Sequence, residues 1–234
     1  MILDAPNMER AAMGPGGLFY GVYPARVTDI VDPDQQGRVK VRLPWSPDPG
    51  DGNYEAWARL ATMMGGNDRG TFFIPDVDDE VLVAFEAGNP RRPYVVGALW
   101  NGQDSPPEQM DSAGENNLKT ILSRQGVRIT MDDTDGATKL RLETPMGQSI
   151  VLDDEQLSIE AQDATGNSIK MAPEGITITA VSQVEIQAST VQVEAASVTV
   201  DAAFSEFSGV VQCSALIADA VVGTTYTPGV GNIW

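Results

Sequence analysis

Val184-Glu185-Ile186-Gln187-Ala188-Ser189-Thr190 runs into Val191-Gln192-Val193-Glu194-Ala195-Ala196-Ser197, and that into Val198-Thr199-Val200-Asp201-Ala202-Ala203-Phe204. Each seven-residue unit opens with two β-branched residues two positions apart and then passes through small residues, Ala188-Ser189, Ala195-Ala196 and Ala202-Ala203. A coiled coil also repeats every seven residues, but its apolar positions fall three and four apart among good helix formers. A spacing of two belongs to strands, whose side chains alternate between faces. Each unit therefore reads as one short strand followed by a small-residue turn.

The same signature continues toward the N-terminus in less regular form. Val127/Ile129/Met131, Leu140/Leu142, Ile150/Leu152, Leu157/Ile159, Ile169/Met171 and Ile176/Ile178 each set aliphatic side chains two apart. A single narrow ribbon of such strands buries one face and leaves long edges unpaired, which is not stable alone. Either the chain coils on itself as a β-solenoid or several copies wrap round one axis, so that stacked units share a continuous apolar core. In both cases Val184, Ile186, Val191, Val193, Val198 and Val200 line that core.

The first half of the chain is built differently. All but one of the 15 basic residues lie at or before Arg141, and beyond it only Lys170 stands against the acidic side chains. The strand signals here are short and bounded by turn residues. Tyr23–Ile30 alternates, Pro33–Gly37 makes a turn, and Arg38-Val39-Lys40-Val41-Arg42-Leu43 alternates again, with Val39, Val41 and Leu43 on one face and three basic residues on the other. Ala56–Leu60, Glu80–Phe85 and Pro93–Leu99 supply further strands. Five short strands in this span suit a small Greek-key barrel such as an OB-fold. Gln103 to Glu115, polar and carrying Pro106-Pro107 and Gly114, reads as a linker. The fold class is all-β: an OB-type barrel followed by a β-helical shaft.

Composition narrows the chemistry. With 33 acidic residues against 15 basic ones, the net charge of −18 and pI near 4.1 argue against nucleic acid or an anionic membrane as partner, because phosphate binding is driven by Lys and Arg. There is no histidine, so Ser-His-Asp and Cys-His nucleophile systems and HExxH metalloproteases cannot be built. Cys213 is the only cysteine, which excludes an intrachain disulfide framework and any multi-Cys zinc site. No stretch approaches the ~18 apolar residues of a membrane span, and the start lacks the basic and apolar pattern of a secretory signal. Synthesis in the cytoplasm is the expectation.

The sharper motifs are weighed against plainer readings. Asp132-Asp133-Thr134-Asp135-Gly136 has the look of a calcium loop, but the loop glycine then puts Met131 and Leu142 at the first and twelfth ligand positions, so a hairpin turn is expected. Asp76, Asp78, Asp79 and Glu80 read as a solvated loop, and Gly14-Pro15-Gly16-Gly17 as part of a flexible arm. Arg38, Lys40 and Arg42 form a basic stripe on the OB strand face that binds oligonucleotides elsewhere; contact with an acidic protein surface explains it as well. Cys213 reads as a small buried residue. Trp234, a large aromatic at the very end, is expected to pack beneath a cap or across a shared axis.

The motifs, taken in order, resemble one family. Asp29–Pro33, Gly37-Arg38-Val39-Lys40-Val41-Arg42-Leu43-Pro44-Trp45, Trp57-Ala58-Arg59, Gly70-Thr71-Phe72-Phe73-Ile74-Pro75, Asp79–Glu86 and Arg92–Gly97 resemble the OB domain of the baseplate spikes of contractile injection systems, namely phage baseplate assembly protein V and VgrG. Lys119–Arg124 with Arg128-Ile129-Thr130 is similar to the lead-in to the spike's β-helix. Tyr226-Thr227-Pro228-Gly229-Val230-Gly231-Asn232-Ile233-Trp234 is similar to the tip of spikes from phage-tail-like extracellular injection particles. The resemblance implies a homotrimer, with three OB barrels above an intertwined trimeric β-helix, the needle. It places an arm at residues 1–17, the OB domain at 18–102, a linker at 103–118, the shaft at 119–222 and the tip at 223–234. It implies contact of Tyr226, Pro228, Val230, Ile233 and Trp234 with a PAAR-type tip protein, and of Arg38, Lys40 and Arg42 with baseplate hub and inner-tube proteins. Effector cargo is a further implied partner, and the target membrane is met only mechanically. The particle is assembled in the cytoplasm or released. No cofactor, metal or enzymatic activity is implied. Gln103 to Asn117 is too short for the lysozyme domain some phage spikes carry, the arm too short for the hub that type VI spikes fuse ahead of the barrel, and iron held by tip histidines is ruled out by composition.

The rivals are a hexapeptide-repeat acyltransferase, for which both the six-residue period and the histidine are missing, a trimeric tail fibre or adhesin, and an OB-fold oligonucleotide- or oligosaccharide-binding module with a β-solenoid tail.

Overall fold

The computed structural model describes residues 17–47 and 53–225. Their regular structure is strand throughout, apart from single turns of 3-10 helix such as Glu86–Gly88. In chain order the first strands are β1 (Val22–Asp29), β2 (Val39–Pro47), β3 (Asn53–Leu60), the two-residue β4 (Gly65–Gly66) and β5 (Arg69–Gly70), β6 (Glu80–Phe85) and β7 (Pro93–Ala98). Five of them close into a barrel in the order β1-β2-β3-β7-β6. Every pairing is antiparallel except β3 with β7, where Arg59 faces Tyr94 and Leu60 faces Val95. Register breaks in β1/β2, β2/β3 and β6/β7 supply the bends that closure of so few strands demands.

Alternation decides what fills the barrel. Val27, Val39, Val41, Leu43, Ala58, Val81 and Val83 point inward and are fully buried. One end is plugged by aromatic rings: Phe19 stacks on Phe85 at 4.9 Å, and Tyr23 and Tyr54 meet them edge-on or tilted. The Tyr54 hydroxyl donates to the carbonyl of Pro90, and burial pushes its pKa up to about 12.

The second sheet comprises β8 (Leu118–Leu122), β9 (Arg128–Asp132), β10 (Lys139–Glu143), β11 (Ser149–Asp153), β12 (Ser158–Gln162), β13 (Ser168–Ala172) and β14 (Gly175–Thr179), each paired antiparallel with the next. The connections on one edge share a design. Gly126, Gly147 and Gly166 all have φ near +90°, and each donates its N–H three residues back, to Ser123, Thr144 and Asp163. That is a three-residue hairpin whose last position needs the left-handed region. On the opposite edge, Asp132 accepts from the backbone N–H of Thr134 and Asp153 from that of Gln156.

The expected shaft, residues 119–222, therefore divides in two. Its first part is a single-chain antiparallel meander. Val184–Trp234 forms a separate unit; its described part is extended and joins no strand ladder among the described residues.

Candidate assembly surface

Residues paired directly across antiparallel strands share a face. Register therefore converts the sequence pattern of the meander into two columns. One runs Ile121, Ile129, Leu142, Ile150, Ala161, Ile169, Ile178; the other runs Lys119, Met131, Leu140, Leu152, Ile159, Met171, Ile176. Thirteen of these fourteen positions are apolar. The residues between them sit on the opposite face, where Thr120, Thr130, Arg141, Val151, Glu160, Lys170 and Thr177 line up. Within the single chain most of the apolar face is open: Ile129 and Leu140 are half-buried, and the other large aliphatics run from Leu142 at 36% exposure to Ile176 at 70%. A contiguous apolar surface across seven strands is well beyond the scattered hydrophobic residues that a monomer tolerates.

The seven-residue units add a second unsatisfied surface. Val184, Ile186, Val191, Val193, Val198 and Val200 are all exposed in the single chain. The backbone bends at Ser182, Ser189, Ala196 and Ala203, one bend per unit. Beyond Gly209 the bends come at Ser214, Asp219 and Thr224, five residues apart, each following one of the apolar pairs Val210-Val211, Leu216-Ile217 and Val221-Val222. This shorter spacing went unread in the sequence, because apolar neighbours give no period-two signal. Cys213, expected to be buried, is exposed in the single chain: it lies in the same extended segment, which has no core of its own.

The basic stripe lies where alternation puts it, on the outside of β2, but most of its charge is already engaged. Arg38 donates to Asp32 from Nη2 at 2.6 Å and from Nε at 3.1 Å, and reaches Asp34 at 2.6 Å. Asp32 also accepts from the backbone N–H groups of Asp34, Gln36 and Arg38. The guanidinium beside Asp32 holds its carboxyl well below the usual carboxylate range. Lys40 lies 3.7 Å from Glu55, and both Lys40 and Arg38 sit over the Trp57 ring. Arg42 differs: its Nε is buried without a hydrogen-bond partner among the described residues.

The acidic loop is equally structural. Asp79 accepts from the Asp76 N–H at 2.8 Å, Asp76 pairs with Arg124 at 2.8 Å, and Glu80 accepts from Asn101 at 2.8 Å. Asp132–Gly136 is the β9–β10 turn, held by Asp132 accepting from Thr134 and by Gly136 at φ +72°. The linker is more engaged than its composition suggested, since Glu108 accepts from both Thr120 and Arg128 on the polar face of the meander. The five tip positions Tyr226, Pro228, Val230, Ile233 and Trp234 and all of the 1–17 arm except Gly17 lie outside the described residues.

Comparison with known proteins bears on the same two regions. Residues 23–100 match the type VI secretion system/phage-baseplate injector OB domain, and residues 139–204 match the phage baseplate V C-terminal trimerisation domain. The chain is 32% identical over 158 residues to the type VI secretion system spike protein VgrG5 of Pseudomonas aeruginosa, covering 67% of this chain and 18% of the relative. It is 30% identical over 139 residues to spike protein VgrG1b of the same organism, covering 56% and 19%. It is 28% identical over 130 residues to the actin cross-linking toxin VgrG1 of Vibrio cholerae, covering 55% and 11%. The chain thus spans about a fifth or less of the length of these relatives.

Proposed function

Because the chain belongs to the family of phage-baseplate and type VI secretion injector proteins, with the injector OB domain and the baseplate V trimerisation domain in sequence, we propose that it is the homotrimeric puncturing spike of a contractile injection apparatus. The observation that carries this reading is the two-column apolar face of the meander, open in one chain. Three such faces turned toward one axis form a dry three-sided core, with Arg141, Glu160, Lys170 and Thr177 on the outside. The trimerisation match begins at β10 and runs through all three seven-residue units, so the same region is implicated by sequence kinship and by unsatisfied surface.

The extended segment completes the argument. Its backbone groups need partners, and two further copies in the same register would supply them strand by strand. Once interlocked, no strand can leave without breaking pairings to its neighbours. That cooperative stiffness, and not a catalytic pocket, is what puncture requires. Val184, Ile186, Val191, Val193, Val198 and Val200 would line this needle.

We assign the N-terminal end to a baseplate hub and inner tube and the C-terminal end, Tyr226 to Trp234, to a PAAR-type tip protein, with effector cargo as an optional passenger. Of the basic stripe, Arg42 is the residue with no ion pair among the described residues, and we assign the hub contact to it first. The engagement of Arg38 and Lys40 by acidic partners weighs against the oligonucleotide-binding reading. The test is the mass of the purified chain by multi-angle light scattering, before and after SDS without boiling. A mass near three times 25.0 kDa that survives the detergent is expected; a monomer refutes the shared-axis spike.

A further inference from the structure

An apolar display that neither the meander nor the extended segment explains lies on the barrel, in the excursion between β3 and β6. Met63 is 93% and Phe72 82% exposed, with Met64, Phe73 and Val77 exposed beside them. The excursion is tightly built. Ala61 donates its N–H to Val95, the Thr62 hydroxyl donates to the Thr71 carbonyl at 2.8 Å, and the Thr71 N–H donates to Met64 at 3.0 Å. Gly65 pairs with Gly70 in the small β4–β5 hairpin. Gly70 has φ +151°, and a Cβ there would sit 2.5 Å from the Met64 carbonyl oxygen, so the hairpin closes only with glycine. Large apolar side chains held on a preorganised turn lose little entropy on docking.

Two further observations say what docks. The excursion ends at Asp76, whose carboxylate receives the Arg124 guanidinium at 2.8 Å. Arg124 belongs to the β8–β9 turn, and that turn also carries Val127, next to the Ile121–Ile129 pair with which the apolar face begins. The Asp76–Arg124 pair therefore ties the display to the β8–β9 end of the sheet whose apolar face is assigned to other copies. Charge agrees: residues 61–75 contain one acidic residue, Asp68, and one basic residue, Arg69, in a chain of net charge −18. Copies of so acidic a protein meet at least electrostatic cost through a neutral patch.

We infer that Phe72 and Phe73 form a collar contact with a second copy of this chain, locking the barrels round the head of the shaft. The inference rests on the trimeric reading and extends it from the shaft to the barrels. The full-length protein with Phe72 replaced by the photoreactive p-benzoylphenylalanine tests it, since an exposed aromatic exchanged for a larger one leaves the barrel core untouched. After irradiation of the purified protein, covalent dimers and trimers are expected on boiled denaturing gels, with the cross-linked peptide in the neighbouring copy. A trimer by light scattering that gives only monomer bands after irradiation overturns the collar and leaves the shaft reading standing. A monomer by light scattering overturns both.

Discussion

Two adjacent residues of β14 offer a sharp test of the apolar face. Ile178 belongs to an apolar column beside Ile169, whereas Thr177 faces Lys170 on the other side of the sheet. Ile178 is 60% exposed in the single chain. Complete burial of an isoleucine is worth about 1.5–3 kcal/mol, so burying the remainder contributes roughly 1–2 kcal/mol per copy. Ile178→Asp removes that gain and places a carboxylate in the dry core. Leaving a buried charge uncompensated costs about 3–5 kcal/mol, hence roughly 10 kcal/mol over three copies. That exceeds the ~8 kcal/mol holding a micromolar complex. Thr177→Asp adds the same charge one residue away, on the solvated face and opposite a lysine. The expected result is a monomer or a much weakened trimer for Ile178→Asp and an unchanged trimer for Thr177→Asp, both with native far-UV circular dichroism. Light scattering across a dilution series reads the difference. Equal behaviour of the two variants, whether both assemble or both dissociate, would refute the assignment of faces.

Further consequences follow from other parts of the chain. Val193→Asp puts three charges at one level of the needle and should abolish the heat-resistant trimer; recovery of a normal one would remove Val193 from the core. Gly70→Ala forces a Cβ against the Met64 carbonyl in a backbone region that favours glycine, at about 1–3 kcal/mol. The barrel's melting temperature should fall accordingly, and an unchanged melt would show that the hairpin is looser than drawn. Tyr54 loses its proton near 10.0 when unfolded but only at about 12 in the barrel. Between those values the unfolded chain binds fewer protons than the native one, so stability declines as pH rises through that window and is unaffected below it. Denaturant titrations at pH 9 and 11 should show this loss, and Tyr54→Phe should flatten it.

The sequence disclosed strands better than it disclosed their partners. Glu80–Phe85 and the alternation of Val39, Val41 and Leu43 were legible because a half-buried strand writes period two into its own residues. The parallel contact of β3 with β7, which closes the barrel, leaves no local mark, since it is fixed by bulges and by the space left in the core. In the meander, apolar pairs two apart fit a coil, a shared axis and a run of hairpins alike, so spacing did not disclose the hairpins. A discriminating signal was present: Gly126, Gly147 and Gly166 recur every 19 to 21 residues, the length of two strands and two turns. The basic stripe is a different case. Arg38 alternates with Val39 as a surface cation should, yet the preceding turn brings Asp32 and Asp34 to it, a local closure that strand alternation does not reveal.

A chain that displays two apolar surfaces before assembly faces an aggregation hazard, and its acidity answers it. Beyond Arg141 only Lys170 offsets the carboxylates, so stray encounters between free chains are repulsive, while the matched register offsets the repulsion through many buried side chains at once. The charge thins toward the end: no acidic residue follows Asp219. The bends close up over the same stretch, from seven residues apart to five. In a shaft where each copy contributes one run per side, losing two residues at about 3.3 Å each narrows each side by roughly 7 Å. A three-chain needle built this way would taper by sequence alone, concentrating force on a smaller apolar tip. Electron microscopy of the trimer would read that narrowing directly; constant width through residue 225 would mean that the bends do not mark its corners.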